Sequence, residues 1–437
     1  MPTLRNGARA TRIALAAAAL VAGAAHAESS PYVLAAGLSY THDSNLLLLG
    51  DGGVAPSGFA RADDVTAAQL LGGFDKSYGR QHYYGNASVS DTRYRHNSAY
   101  DNTGYNAVVG LDWTAAEHLS GSLSLNASRA LFAFNVGYGV GFIGARNLQN
   151  TQGFNATIAA GLASRWSLVV NAGHRQVGNS LQQANVQALN YWYDNVGIGL
   201  RWSPSSATAI GVTLADALAV YPNYYQRSDG SFDRDRYTQP SIDLSLQYQP
   251  TAASSLEAHL GYQDTRYDLN APRNFSGATV HLNWVWQPSY KTRVTTRYSH
   301  DTGQNSYSVS VPTIDWTQFQ IVNVQGVSAY SQTYDTLRLQ GDYQLGAKTG
   351  FTAAVQAVNR KLTNLFQSGS NIQPDSSAAG KDQTTTLSVG VRWAPLRSVN
   401  LGCDYATMRR SASGSAGLTY PLHDNNVSCF GQFQLQQ

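Results

Sequence analysis

After its first few dozen residues the chain is written in a period of two. In Ala278 to Gln287, Ala278, Val280, Leu282, Trp284 and Trp286 share one parity, while Thr279, His281, Asn283 and Gln287 share the other. Such alternation puts apolar side chains on one face of a strand and polar ones on the opposite face. It recurs in Ile242, Leu244, Leu246 and Tyr248 against Ser241, Asp243, Ser245 and Gln247, and in Leu387, Val389, Val391 and Trp393 against Thr386, Ser388 and Arg392. Tyr105 to Trp113 and Trp192 to Trp202 repeat it. No segment sustains a 3.6-residue period. Beyond residue 27 no run of about 18 apolar residues occurs, which excludes a bundle of membrane-spanning helices.

A soluble sandwich also alternates, so the punctuation decides. Four strands end in an aromatic residue two positions before proline: Trp202-Ser203-Pro204, Tyr248-Gln249-Pro250, Trp286-Gln287-Pro288 and Trp393-Ala394-Pro395. Each is followed at once by a short polar turn and another strand. The opposite ends carry long polar connections: His42 to Asp63, Ala133 to Asn150, Tyr221 to Arg236, Gly303 to Gln332, Leu362 to Lys381 and Ser411 to His423. Short turns with an aromatic girdle at one end, and long loops at the other, predict an all-β fold. The expected fold is a single transmembrane antiparallel β-barrel with short periplasmic turns and long extracellular loops. Strand counting gives about 18, with 16 as the rival, running from Val33–Thr41 to Asn425–Gln436. Ser306 to Tyr330 also alternates and reads as an extra hairpin, an extracellular rim or a loop folded into the lumen.

The composition fits export to such a site. Only 13% of residues are charged, with five Lys against 25 Arg. Arg5, Arg9 and Arg12 precede an apolar run from Ile13 to Ala25, and Ala25-His26-Ala27 has the small-x-small form of a cleavage site. Residues 1–27 therefore read as a signal peptide cleaved near Ala27, and 28–437 as a barrel in the outer membrane of a Gram-negative cell. Cleavage removes three arginines and no acid, so the formal +3 falls to zero. That balance gives no reason to bind nucleic acid. The expected lipid partner is the outer membrane itself.

Motifs of catalysis are missing. Gly341 to Thr349 imitates a phosphate-binding loop, but Lys348-Thr349 sits in a turn between strands instead of opening a helix. There is no GxSxG, HExxH or CxxC, and the histidines are scattered singly, as expected of solvated lumen or loop residues. The chain reads as a non-enzyme with no cofactor and no metal site. Its candidate residues are those whose parity points inward: Arg201, Arg293, Arg297, Arg338 and Arg392, with Asp112, Asp243, Glu257, Asp342 and Asp404, and Tyr84, Tyr94 and Tyr193. Arg201, Arg293 and Arg392 lie near periplasmic turns, where they are expected to ring the inner mouth. Two readings stand side by side: interior ion pairs that brace a wide barrel, and a polar conduit that attracts an anionic or hydroxyl-rich solute.

Cys403 and Cys429 are the only cysteines. They fall on the last two strands about a loop centred near Leu418, so a nearly symmetric hairpin sets them opposite or one step apart, both facing lipid. Oxidised, they form a disulfide; reduced, they are two small lipid-facing thiols.

Tyr40-Thr41-His42-Asp43-Ser44-Asn45-Leu46 resembles the Tyr-x-x-Asp-Ser-Asn segment of the putative beta-barrel porin type 2 group. Phe74 to Gln81 and Tyr94 to Asp101 are similar to EpsL-type outer-membrane proteins encoded with exosortase-linked exopolysaccharide clusters. The resemblance implies a barrel taking part in secretion of extracellular polysaccharide, with periplasmic or inner-membrane polysaccharide-assembly proteins as partners and no catalytic residues. The chain departs from the pattern at its end, Phe433-Gln434-Leu435-Gln436-Gln437, and in its cysteine pair. A general or sugar-specific porin for solute uptake is the alternative.

Overall fold

The computed structural model describes residues 31–436 apart from 117, 133–141, 164, 227–229, 270–273, 305–310, 316–319, 325–330, 367–375 and 415–418. The signal-peptide reading of 1–27 lies outside the described residues. The strands are β1 (Tyr32–Asp43), β2 (Asp63–Tyr78), β3 (Gln81–Tyr94), β4 (Asn102–Ala116), β5 (Leu119–Leu131), β6 (Leu148–Ala163) and β7 (Trp166–Asn179). Next come β8 (Tyr191–Ser205), β9 (Thr208–Gln226), β10 (Phe232–Thr238), β11 (Ser241–Thr251), β12 (Ser254–Tyr267), β13 (Phe275–Ser289) and β14 (Thr292–Gln304). The last are β15 (Val311–Asp315), β16 (Gln320–Val324), β17 (Ser331–Gln344), β18 (Thr349–Phe366), β19 (Ser376–Leu396), β20 (Val399–Gly414) and β21 (Leu422–Gln436).

Nineteen of these form one antiparallel sheet, and β21 pairs with β1, so the sheet closes on itself. β10 and β11 both pair with β9 and are two parts of one stave, parted at Gln239-Pro240; the nineteen strands are therefore eighteen staves. Of the segment from Ser306 to Tyr330 the described residues are β15 and β16, which pair with each other as a separate two-stranded sheet. Closure satisfies every backbone donor and acceptor without an edge, which a sheet in hydrocarbon requires.

The prolines of the girdle mark where pairing stops. Regular pairing is lost after Trp202, Tyr248, Trp286 and Trp393, just before Pro204, Pro250, Pro288 and Pro395. The intervening residue still donates its N–H to the neighbouring turn: Ser203 to Arg165, Gln249 to Ala207, Gln287 to Ala253 and Ala394 to Lys348, at 2.7–2.8 Å. Proline has no N–H to lose at the next position. Gly79, at φ 60° in the two-residue turn between Tyr78 and Gln81, supplies the left-handed conformation that turn requires.

One parity faces out. Leu34, Leu38, Val89, Val109, Leu123, Leu125, Ile158, Ile198, Leu214, Leu260, Leu337 and Leu387 are all exposed on it, as a lipid-facing band demands. Trp166, Trp202, Trp284, Trp286 and Trp393 edge the band at the short-turn end, and Trp166 stacks on its register partner Trp202 at 6.0 Å. The other edge carries Tyr40, Tyr105, Tyr262, Tyr298 and Tyr405, followed by polar pairs. His42 faces Asp64, His174 faces Asp194 and His300 faces Asp335, each directly opposed across two strands with Nδ1–Oδ1 distances of 2.9, 2.6 and 2.7 Å. These pairs bridge staves one and two, seven and eight, and thirteen and fourteen, six staves apart around the ring. His174 stands eight residues above Trp166. At about 3.4 Å per residue and a tilt of roughly 40° that is roughly 20 Å, close to the height of an outer-membrane apolar band.

Above this collar several staves continue where loops are expected from the sequence. Tyr221 pairs with Asp235, and Leu362 with Gly380, so the connections expected over Tyr221 to Arg236 and Leu362 to Lys381 are largely strand. The ladder needs no lipid, and its outward residues there, such as Arg236, Lys361 and Gln383, are polar and suit water.

The Tyr-x-x-Asp-Ser-Asn segment locks the seam between first and last staves. Ser44 donates through Oγ to Asp424 Oδ1 at 2.9 Å and accepts from the Asn425 N–H at 2.7 Å, while its own N–H reaches the Asn425 carbonyl. Asn45, buried to 1%, donates to the Leu49 and His423 carbonyls at 2.8 and 3.1 Å and accepts from the Leu49 N–H at 2.9 Å. The loop it shapes packs Leu47 against Tyr100, whose hydroxyl donates to the Ile143 carbonyl at 2.8 Å. Asp63 holds the adjoining loop by accepting from the His96 and Asn97 N–H groups at 2.9 and 2.8 Å. Asn45→Ala orphans three backbone partners and is expected to cost about 1–3 kcal/mol, read as a lower midpoint of urea unfolding in detergent.

Cys403 and Cys429 are register partners on β20 and β21, outward-facing, with Cα atoms 4.1 Å apart and their sulfurs bonded. The bond closes a hairpin of separation 26. Replacing both by Ser removes about 3.5 kcal/mol of chain-entropy stabilisation. Thiol alkylation of the unreduced, denatured protein is expected to label neither cysteine; two labelled thiols contradict the bond.

Candidate functional site in the barrel lumen

The inward parity builds a polar interior whose walls differ. On β3 to β7 the register turns Asn86, Ser88, Ser90, Asn106, Ser122, Ser124, Asn126, Asn155, Thr157 and Asn171 inward. The charged inward residues of β4 to β7 are Asp112 near the periplasmic end and Arg175 towards the extracellular end. Hydroxyls and amides thus line this wall, and they are half-exposed to the interior space.

The wall from β11 to β19 is charged. His259 Nδ1 lies 2.9 Å from Asp243 Oδ1, Glu257 lies 3.6 Å from the other ring nitrogen, and His281 meets Asp301 at 3.0 Å. Beside them stand Arg297 and Arg338, directly opposed on β14 and β17, with Arg293 and Asp342 opposed four residues nearer the periplasm. Arg201 donates to Gln247 Oε1 at 2.8 Å. Arg360 and Asp382 form a pair with an Nη2–Oδ2 distance of 2.5 Å, side chains 6% and 2% exposed.

The third wall, β20, β21 and β1, is filled. Ala35, Phe430, Gln432, Ser428 and Asn426 point inward and are buried. Arg392 lies there with its guanidinium 5.0 Å from the Phe430 ring centre and bonds Asp404 at 2.8 and 2.9 Å. This side is packed, as are Arg360 and Asp382 on the charged wall and Ala217, Ala219, Tyr221 and Tyr267 on β9 and β12, whereas the inward side chains of the hydroxyl wall are half-exposed or exposed.

All the residues singled out by parity lie on the lumen face, but not in one place. Arg201, Arg293, Arg392, Asp112 and Asp342 are one residue inside the periplasmic end of their paired strands. The expected ring of Arg201, Arg293 and Arg392 is uneven, because Asp404 and Phe430 cover Arg392 on the filled side. Tyr84 stays on the wall: a Cβ at Gly110 would stand 2.1 Å from its Cζ, so its ring lies flat across that glycine. Tyr193 is inward on β8, higher in the barrel. Tyr94 is at the extracellular mouth, packed edge-on against Tyr100 at 6.2 Å.

The histidines depart from expectation. Instead of solvated single residues, His42, His82, His174, His259, His281 and His300 each contact a carboxylate that cross-strand pairing brings near, and His96 contacts Asp63 from the loop after β3. Among the described residues no group of three or more His, Cys, Asp or Glu is arranged to hold a metal ion. Lys348 of the phosphate-loop imitation donates to the Pro395 carbonyl at 2.8 Å in an exposed turn. Sequence reasoning missed the Arg360–Asp382 pair and the amides Gln247, Asn283, Gln340 and Gln356. Their parity was readable, but bonds between strands depend on register.

No family model matches the chain, and no curated relative does. Among solved structures it is similar to OprD from Pseudomonas aeruginosa, with 14% identity over 94% of this chain and 97% of that one and a TM-score of 0.47. The outer membrane protein opdK from Pseudomonas aeruginosa gives 12% identity over 93% and 99%, TM-score 0.47. The siderophore receptor PirA from Acinetobacter baumannii gives 8% over 94% and 81%, TM-score 0.44. The barrel itself is established by the register above, and no cargo is inherited from these proteins.

Asp382→Asn removes the carboxylate bonded to the buried Arg360 and is expected to cost about 3–5 kcal/mol, most of it recovered in Asp382→Asn/Arg360→Gln. Urea unfolding of the two variants in detergent checks this.

Proposed function

We propose that this barrel is an outer-membrane conduit for hydrophilic solutes, acting as a porin for uptake. The observation that carries it is the interior: hydroxyl, amide and charged side chains line it from β3 to β7 and from β11 to β19, while the large exposed apolar side chains face out. A solute crossing must shed water, and polar walls replace those hydrogen bonds where apolar ones do not. The seam lock, the outer collar and the filled wall keep this passage from collapsing.

A second reading, export or anchoring of an extracellular polysaccharide together with periplasmic or inner-membrane assembly proteins, draws on one specific feature. The Ser, Thr and Asn wall from β3 to β7 is a long uncharged surface of donors and acceptors, suited to a chain of sugar hydroxyls. The two readings part in one experiment. Refolded protein in planar bilayers is expected to give steady conductance steps, and a deletion strain to lose uptake of a hydrophilic solute while secreting normal amounts of polymer. A barrel that stays closed to ions, with extracellular polymer lost on deletion, overturns the porin reading in favour of export.

A further inference from the structure

The lumen holds its arginines in two ways. Arg360 and Arg392 are bonded to Asp382 and Asp404, at 2.5 and 2.8 Å, in the parts of the interior where side chains are packed. Arg201 and Arg297, which are exposed, and the half-buried Arg338 are held by amide oxygens instead. Arg297 Nε donates to Asn283 Oδ1 at 3.3 Å, and Arg338 donates through Nη1 to Gln356 Oε1 at 3.3 Å and through Nη2 to Gln340 Oε1 at 3.1 Å. Among the described residues no carboxylate lies within 4.0 Å of either guanidinium.

Asp342, four residues along β17, is hydrogen-bonded by other groups. Gln340 stands between Arg338 and Asp342, giving its oxygen to the arginine and its nitrogen to both carboxylate oxygens at 3.2 Å. Thr352 Oγ1 donates to the same carboxylate at 2.9 Å. Asp342 thereby bonds Gln340 and Thr352 and forms no direct ion pair with Arg297 or Arg338. Arg297 and Arg338 are direct register partners, so two like charges stand side by side, a placement that by itself weakens a sheet. Amide oxygens fix the forks without cancelling charge, and they leave N–H donors of both groups unused. The pair lies five residues above Thr292 and five above Tyr343, about 13 Å along the barrel axis at 3.4 Å per residue and a roughly 40° tilt, near mid-height.

We propose that Arg297 and Arg338 form a twin-guanidinium site at the middle of the lumen that binds the carboxylate of a passing solute. This rests on the conduit reading above and names its preferred cargo. A planar carboxylate matches the fork of an arginine in two parallel hydrogen bonds, and two adjacent forks share one anion. Asn283, Gln340 and Gln356 act as positioning residues, holding the forks towards the open side. The same carboxylate chemistry is offered by a free small acid and by the uronate units of an acidic polysaccharide.

The test uses the full barrel refolded into planar bilayers, with glucuronate and an oligogalacturonide as probes. Wild type is expected to show anion selectivity in a potassium chloride gradient and a conductance lowered by millimolar glucuronate. In Arg297→Gln/Arg338→Gln the selectivity is expected to vanish and the half-blocking concentration to rise about tenfold or more, since both charge-assisted forks are gone. Arg297→Lys/Arg338→Lys keeps the charge, so selectivity persists while glucuronate block weakens. Block by glucuronate as strong as by the oligomer assigns the site to small acids; block by the oligomer alone assigns it to a polymer. If the Gln variant conducts with unchanged selectivity and unchanged block, the twin site is wrong and the conduit stands. If wild-type barrels that migrate as folded protein on unboiled gels never conduct, the conduit reading fails first.

Discussion

Every structural choice in this protein follows from the need to pair backbone N–H and C=O groups inside hydrocarbon. A sheet meets that need only by closing, and here closure is made between β1 and β21, the two ends of the chain. The seam is therefore the contact of longest sequence separation. It carries the densest local bonding, with Ser44, Asn45, Asp424 and Asn425 tying loop to ladder, and the Cys403–Cys429 bond one strand away. Once the ring is closed, parity has meaning. Each strand residue faces either lipid or lumen, and a one-residue slip would reverse all of them.

That parity sorts the charges. Outside, they gather above the apolar band as His–Asp and Arg–Asp pairs, where headgroups and water begin. Inside, they divide by packing. Where the interior is filled, arginine is matched with aspartate, because a packed guanidinium without a counter-charge is costly. Where the interior is open, water shares the load and amides suffice to aim the group. The hydroxyl wall opposite adds hydrogen-bonding capacity without charge, so the lumen is asymmetric across its width.

The barrel was legible in the sequence because a period of two and the Trp-x-Pro punctuation are local signals. Trp202, Tyr248, Trp286 and Trp393 mark stave ends, and each does so in the structure for a reason visible in the chain, the missing N–H of the following proline. The inward parity of Arg297 and Arg338 was legible too. That they are neighbours with no acid between them was not, since it depends on the pairing of β14 with β17 across the intervening hairpin. For the same reason the histidines read as solitary, although the aspartate each one meets lies 7 to 35 residues away. Extended staves were hidden because their upper residues carry no alternation: those of β10 and β19 are mostly polar or small on both faces, while Ala217 to Tyr221 on β9 are apolar on both.

The central claim is the facing of side chains in a closed ring, and β14 tests it most directly. Single nitroxide labels at positions 293 to 300, in a Cys403→Ser/Cys429→Ser background reconstituted in lipid, report collision rates with oxygen, which concentrates in lipid, and with a water-soluble nickel complex. The register predicts strict alternation: Arg293, Thr295, Arg297 and Ser299 positions accessible to nickel, and Val294, Thr296 and Tyr298 positions accessible to oxygen. Uniform accessibility along the strand, or the opposite phase, contradicts the account.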